Sequence, residues 1–122
     1  MKASPCLIFN GNCAEAIKLY EKAFGTKATS CQYKDSPPPE GFPLRPKTAE
    51  LVMHGALPIG NETIYLCDTT PDKPATFGNG AFACVELDDE QSLRSAFDVM
   101  KEGWRVFLRG SKNLLERMLC RA

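Results

Sequence analysis

"FNGNCAEAIKLYEKAFG", residues 9–25, decides the fold. Its apolar residues Ala16, Ile17, Leu19, Tyr20, Ala23 and Phe24 recur at the spacing of one helical face. Asn12 stands before the run as a helix cap, and Gly25 stands after it, where a left-handed residue usually ends a helix. Upstream, "PCLIF" (5–9) is a short apolar strand closed by the "NGN" turn. Downstream, "KATSCQYK" (27–34) reads as a second strand. The stretch therefore places one amphipathic helix between two strands.

Working outward, residues 35–46 hold five prolines and read as a loop, because proline lacks the donor that helices and sheets need. "TAELVMHGALPIG" (48–60) is a third strand and "ETIYLCD" (62–68) a fourth, turning at Asn61 and Glu62. A Pro/Gly loop covers 69–80. The pattern then restarts. "AFACVELD" (81–88) is a strand, and "DEQSLRSAFDVMKEG" (89–103) is a helix with the stripe Leu93, Ala96, Phe97 and Met100, capped by Asp88 or Asp89. "WRVFL" (104–108) begins another strand. The order is β-α-β-β-β, a loop, then β-α-β. One complete module is followed by part of a second, a repeat in pattern rather than in letters.

A chain of 122 residues is one domain, here 1–122, with the first module at 1–68, a linker loop at 69–80 and a partial second module at 81–122. The net charge of +0 offers nothing to nucleic acid or to an anionic membrane. No apolar run approaches the length of a membrane span and no signal peptide is visible, so a cytoplasmic protein with reduced thiols is expected. The six cysteines form no C-x-x-C pair, which argues against a zinc ribbon or a thioredoxin motif.

This arrangement resembles the vicinal oxygen chelate superfamily of glyoxalases, bleomycin-resistance proteins and extradiol dioxygenases. Within it, the sequence is similar to the PhnB-like branch, often labelled demethylubiquinone methyltransferase-like. The resemblance rests on residues 9–25, on "YKDSPP" (33–38), "MHGALPIG" (53–60) and "YLCD" (65–68), and covers most of residues 4–107. It implies an α+β fold of paired βαβββ modules, the second incomplete here. Each module's sheet would curl into a half-open cup for a small molecule. It also implies a homodimer.

Enzymes of the superfamily hold a divalent metal with His and Glu on the cup-lining strands. That requirement is poorly met. "PCLIF" offers neither residue, the fourth strand brings Tyr65, Leu66 and Cys67, and the fifth opens with Ala81 and Phe82. Neither a metal nor another cofactor is expected. The candidate polar contacts for a ligand are His54, Tyr33, Asp68 and Glu86, with Phe82, Leu66 and Ile64 as apolar walls. Each has a plainer reading beside it: His54 as a hydrogen-bonded strand histidine, Asp68 as a turn residue, Tyr33 as core packing, Glu86 as a solvent-facing strand residue. Cys13, in the first helical turn, is read as structural rather than as a nucleophile, since no partner base is apparent. The expected function is small-molecule binding without the usual metal. The alternative is a glyoxalase-like or methyltransferase-like enzyme, or an inactive fragment of one. No Gly-rich nucleotide loop supports the methyltransferase label.

The tail departs from the rest. Residues 1–107 carry a net charge of −3 and residues 108–122 a net charge of +3. Back-translating 108–122 with allowed codons and dropping one base yields C-E-A-Q-K-T-F-W-N-E-C-Y-A-E, which looks like the family segment expected there. A shifted reading frame is therefore expected from about Leu108. The competing reading is an amphipathic helix capped by Ser111, with Leu114, Leu115, Met118 and Leu119 as its stripe.

Overall fold

The computed structural model describes residues 1–37, 45–76 and 83–101, together with the strands Trp104–Leu108 and Leu114–Cys120. The fold is α+β. Strand β1 (Cys6–Phe9) leads to helix α1 (Cys13–Phe24), then β2 (Thr29–Gln32), the short helix α2 (Pro46–Ala49), β3 (Val52–Ile59) and β4 (Glu62–Asp68). These four strands form one sheet in the order β1-β4-β3-β2. β1 runs parallel to β4, with Phe9 opposite Asp68, and the other pairs are antiparallel. A parallel neighbour needs a long connection, and the helix with the intervening strands supplies it.

A second sheet follows. β5 (Cys84–Glu86), helix α3 (Glu90–Met100), β6 (Trp104–Leu108) and β7 (Leu114–Cys120) give three strands in the order β5-β7-β6. In the first sheet the strand beside β1 is parallel to it. In the second, β7 lies antiparallel to both β5 and β6, and the described residues of this module supply one strand fewer. The atypical tail thus contributes a strand, not the helix its Leu spacing allowed. Two flanking strands offer it a hydrogen-bonded ladder on each edge, which outweighs a short helical stripe.

Local chemistry explains most boundaries. Gly25 takes φ 62°, the left-handed conformation in which glycine has no Cβ penalty, and closes α1. Asp89 caps α3, accepting from the Ser92 N–H at 2.7 Å. Two expectations shift. The third strand begins at Val52 rather than residue 48, because Pro46 occupies the first helical position, where its fixed φ favours a turn of helix. The second strand ends at Gln32, and Tyr33–Asp35 winds into a 3₁₀ turn in which Asp35 accepts from the Gln32 N–H.

α1 and α3 pack against each other and join the two modules in one core. From α1 it takes Cys13, Ala16, Ile17 and Tyr20; from α3, Leu93, Ala96 and Met100; from the strands, Phe9, Val52, Leu57, Ile64, Leu66 and Val85. The helical stripes read from the sequence are the buried faces.

Candidate functional site

β4 alternates strictly. Ile64, Leu66 and Asp68 are buried toward α1, whereas Thr63, Tyr65 and Cys67 look the other way. The register carries that division across the sheet. Cys6 and Ile8 of β1 share the outward face, opposite Tyr65 and Cys67 respectively. Ala56 and Pro58 of β3 pair with Tyr65 and Thr63 there. Cys31 of β2 pairs with His54. No Asp, Glu, Lys or Arg stands on this face among the described strands. Antiparallel sheets that simply face water alternate apolar-in with polar-out. Here the outward side carries no charge and mixes thiol, aromatic and aliphatic groups with the hydroxyls of Thr29 and Thr63.

His54 is exposed and its ring lies 5.4 Å from that of Tyr65, tilted by 58°. Ile8 is 45% exposed and Cys6 is also exposed. Tyr33 closes one end. It is half-buried, its hydroxyl donates to the main-chain oxygen of Asp68 at 2.8 Å, and burial followed by the nearby Cys67 raises its pKa above 10.0. His54 and Tyr33 are thus on or beside one open surface, with Tyr65, Cys67 and Cys6 as companions the sequence reading did not single out. The signal was present: Tyr65 and Cys67 alternate with Leu66, so choosing Leu66 for one face assigns them to the other.

The remaining candidates lie elsewhere. Ile64 and Leu66 were expected as walls of the cup, but they are 5% and 1% exposed and pack under α1, on the opposite side of the sheet from His54. Asp68 was expected to meet a ligand; its carboxylate is 2% exposed and fully engaged with backbone. One oxygen accepts from the N–H groups of Gly11 (2.9 Å) and Cys13 (3.0 Å), the other from Val52 (3.0 Å). It thereby does the capping work expected of Asn12, whose side chain makes no capping bond. Glu86 is exposed and lines a different concavity, a cleft of about 370 Å³ between the modules, bounded by Phe24, Gly25, Pro58, Ile59 and Asp88. His54 is not on that cleft. Phe82 lies outside the described residues.

Cys13 is fully buried, and burial followed by the Asp68 charge pushes its thiol from 9.0 up to about 12. The helix N-terminus does not lower it, because Asp68 already occupies that end. A divalent metal of the superfamily kind needs imidazole and carboxylate donors together. Among the described residues no group of three or more His, Cys, Asp and Glu side chains is placed to hold an ion. The open face sets its imidazole among thiols and phenols and brings no carboxylate to it among the described strands.

The fold has solved relatives. The chain is similar to protein PA1353 from Pseudomonas aeruginosa, with a TM-score of 0.70 and 26% identity, covering 89% of this chain and 78% of that one. It is also similar to a Bacillus cereus PhnB protein provisionally named a 3-demethylubiquinone-9 3-methyltransferase, with a TM-score of 0.56, 18% identity, and coverage of 89% and 80%. The architecture is accordingly PhnB-like. No family model matches the chain, and no curated protein matches it. Among the described residues no helix is long and apolar enough to cross a membrane.

Proposed function

We propose that the chain is a small-molecule-binding protein of the vicinal oxygen chelate superfamily, and that its ligand lies on the open face of the four-stranded sheet. The uncharged, thiol- and aromatic-lined outward side of β1, β4 and β3 carries this reading. Apolar surface left uncovered beside a few polar groups is the usual make-up of a ligand wall. His54 and Tyr65 offer an aromatic pair with ring nitrogens and a hydroxyl for orientation, and Ile8 offers apolar contact. The ligand class that fits is a neutral, partly aromatic molecule. It is bound without the superfamily's metal, and no transfer chemistry is assigned to the chain.

The test is amide and side-chain NMR of the labelled protein titrated with a library of neutral aromatic fragments. Shift changes should cluster at Ile8, His54, Tyr65 and Cys67. Changes confined to Gly25, Ile59 and Glu86 would move the site to the inter-module cleft and overturn the reading. His54→Ala should weaken the best fragment by about tenfold, the worth of roughly one good contact.

The shifted frame from about Leu108 belongs to the same reading. Its support is the charge reversal at that point and the aromatic segment recovered by dropping one base. Sequencing the gene and translating the next frame beyond the Phe107 codon tests it. A frame without F-W and without further strand-like segments refutes it.

A further inference from the structure

Two cysteines meet on the open face. Cys6 lies on β1 and Cys67 on β4, neighbouring strands running parallel. Cys6 is opposite Tyr65 and Cys67 is opposite Ile8, so the two are diagonal neighbours on one side of the sheet. The Cys67 thiol is pushed up to about 11, by burial first and then by the neighbouring Cys6. The other described thiols are placed differently. Cys13 is buried in α1, Cys31 is on β2 with β3 between it and β4, and Cys84 is on the second sheet.

We propose that Cys6 and Cys67 form a reversible dithiol–disulfide site, oxidised by small-molecule disulfides and reduced by thiols. This goes beyond the ligand-binding reading and does not depend on it. The exposed Cys6 meets the oxidant first. Its thiolate attacks one sulfur of glutathione disulfide, breaking that S–S bond and releasing one glutathione thiolate, which takes up a proton. The Cys67 thiol then loses its proton, attacks the Cys6 sulfur of the mixed disulfide, and releases the second glutathione. Two protein thiols are oxidised to one disulfide, and one glutathione disulfide is reduced to two thiols.

The placement also makes the bond reversible. A relaxed disulfide needs Cβ atoms about 3.5–4.5 Å apart, closer than diagonal strand neighbours usually stand. β1 is the outer strand of the described sheet and is hydrogen-bonded to β4 alone among the described strands, so closing the bond strains one edge rather than the whole sheet. A bond closed that way carries strain, and strained, exposed disulfides are the readily reduced ones. Closing it removes two S–H groups from the open face and draws in its edge.

The experiment treats the purified full chain with glutathione disulfide, blocks free thiols, digests without reductant and maps linkages by mass spectrometry. The expected product is a Cys6–Cys67 cross-linked peptide that accounts for most of the Cys6 signal and vanishes after dithiothreitol. Cys6→Ser, at an exposed position, should abolish it while leaving the reduced protein's melting curve unchanged. Recovery of Cys6 and Cys67 as blocked thiols or as stable glutathione adducts overturns the proposal. So does Cys6 linked chiefly to another cysteine or to a second chain.

Discussion

At Asp68 a carboxylate that ends a strand turns inward, where the sequence suggested a turn or a ligand contact. It binds three N–H groups from two segments, at Gly11 and Cys13 and at Val52. Asp68→Ala leaves the Cys13 and Val52 donors buried and unmatched and the Gly11 donor to water, so a loss of about 2–6 kcal/mol is expected in urea unfolding, since each orphaned buried donor costs about 1–3 kcal/mol. A loss below about 1 kcal/mol would show that water replaces the carboxylate. Cys13 makes a pH-dependent counterpart. Its folded pKa of about 12 exceeds the ordinary 9.0, so between those values the native state keeps a proton that the unfolded chain has released. The stabilisation from the neutral thiol is complete below pH 9 and declines as pH rises toward 12. Replacing Cys13 by Ala should flatten that part of the stability–pH curve. At neutral pH, iodoacetamide should label Cys6 and Cys84 well before Cys13.

Among the elements, α1 comes close to β3 at Gly55. A Cβ there would stand 3.2 Å from both the Ile17 Cδ1 and the Leu66 carbonyl oxygen. The methyl of Ile17 can turn aside, but the backbone oxygen cannot. Gly55→Ala should therefore cost about 1–3 kcal/mol, the usual range for overpacking, read as a lower melting temperature with unchanged far-UV dichroism. The elements themselves were legible because both helices carry stripes of the right period and proline and glycine mark their ends. The candidate site was legible only in part. Alternation separates Leu66 from Tyr65 and Cys67, yet it does not say which side a helix will cover. That is decided by α1 packing over Phe9, Leu57, Ile64 and Leu66. His54 fell on the outward side and Ile64 and Leu66 on the inward one. Asp68 was misjudged because its three partners lie 16 to 57 positions away in the chain, beyond the reach of local patterns.

For the molecule as a whole, the three-stranded sheet has β5 and β6 as its outer strands among those described. Unpaired strand edges invite another chain. A homodimer follows as a proposal, with edge pairing at β5 or β6 as its basis. Light scattering across micromolar concentrations should return twice the 13.5 kDa chain mass. A mass of one chain throughout that range would refute it. Charged residues introduced on the open face of the first sheet should leave that mass unchanged, because the proposed contact lies on the other sheet.

The parallel pairing of β1 with β4 also governs how the chain must be made. On a ribosome β1 and α1 emerge early, but the carboxylate that anchors Cys13 is added 55 positions later. At roughly 5–20 residues per second, that is a delay of roughly 3–11 s. During it the apolar face of α1 has no sheet to cover it, and "CLIF" is an unpaired sticky strand. Substitutions at Asp68 should therefore register in a cell first as lost soluble yield, rescued by slower growth or added chaperone, before any binding defect can be measured.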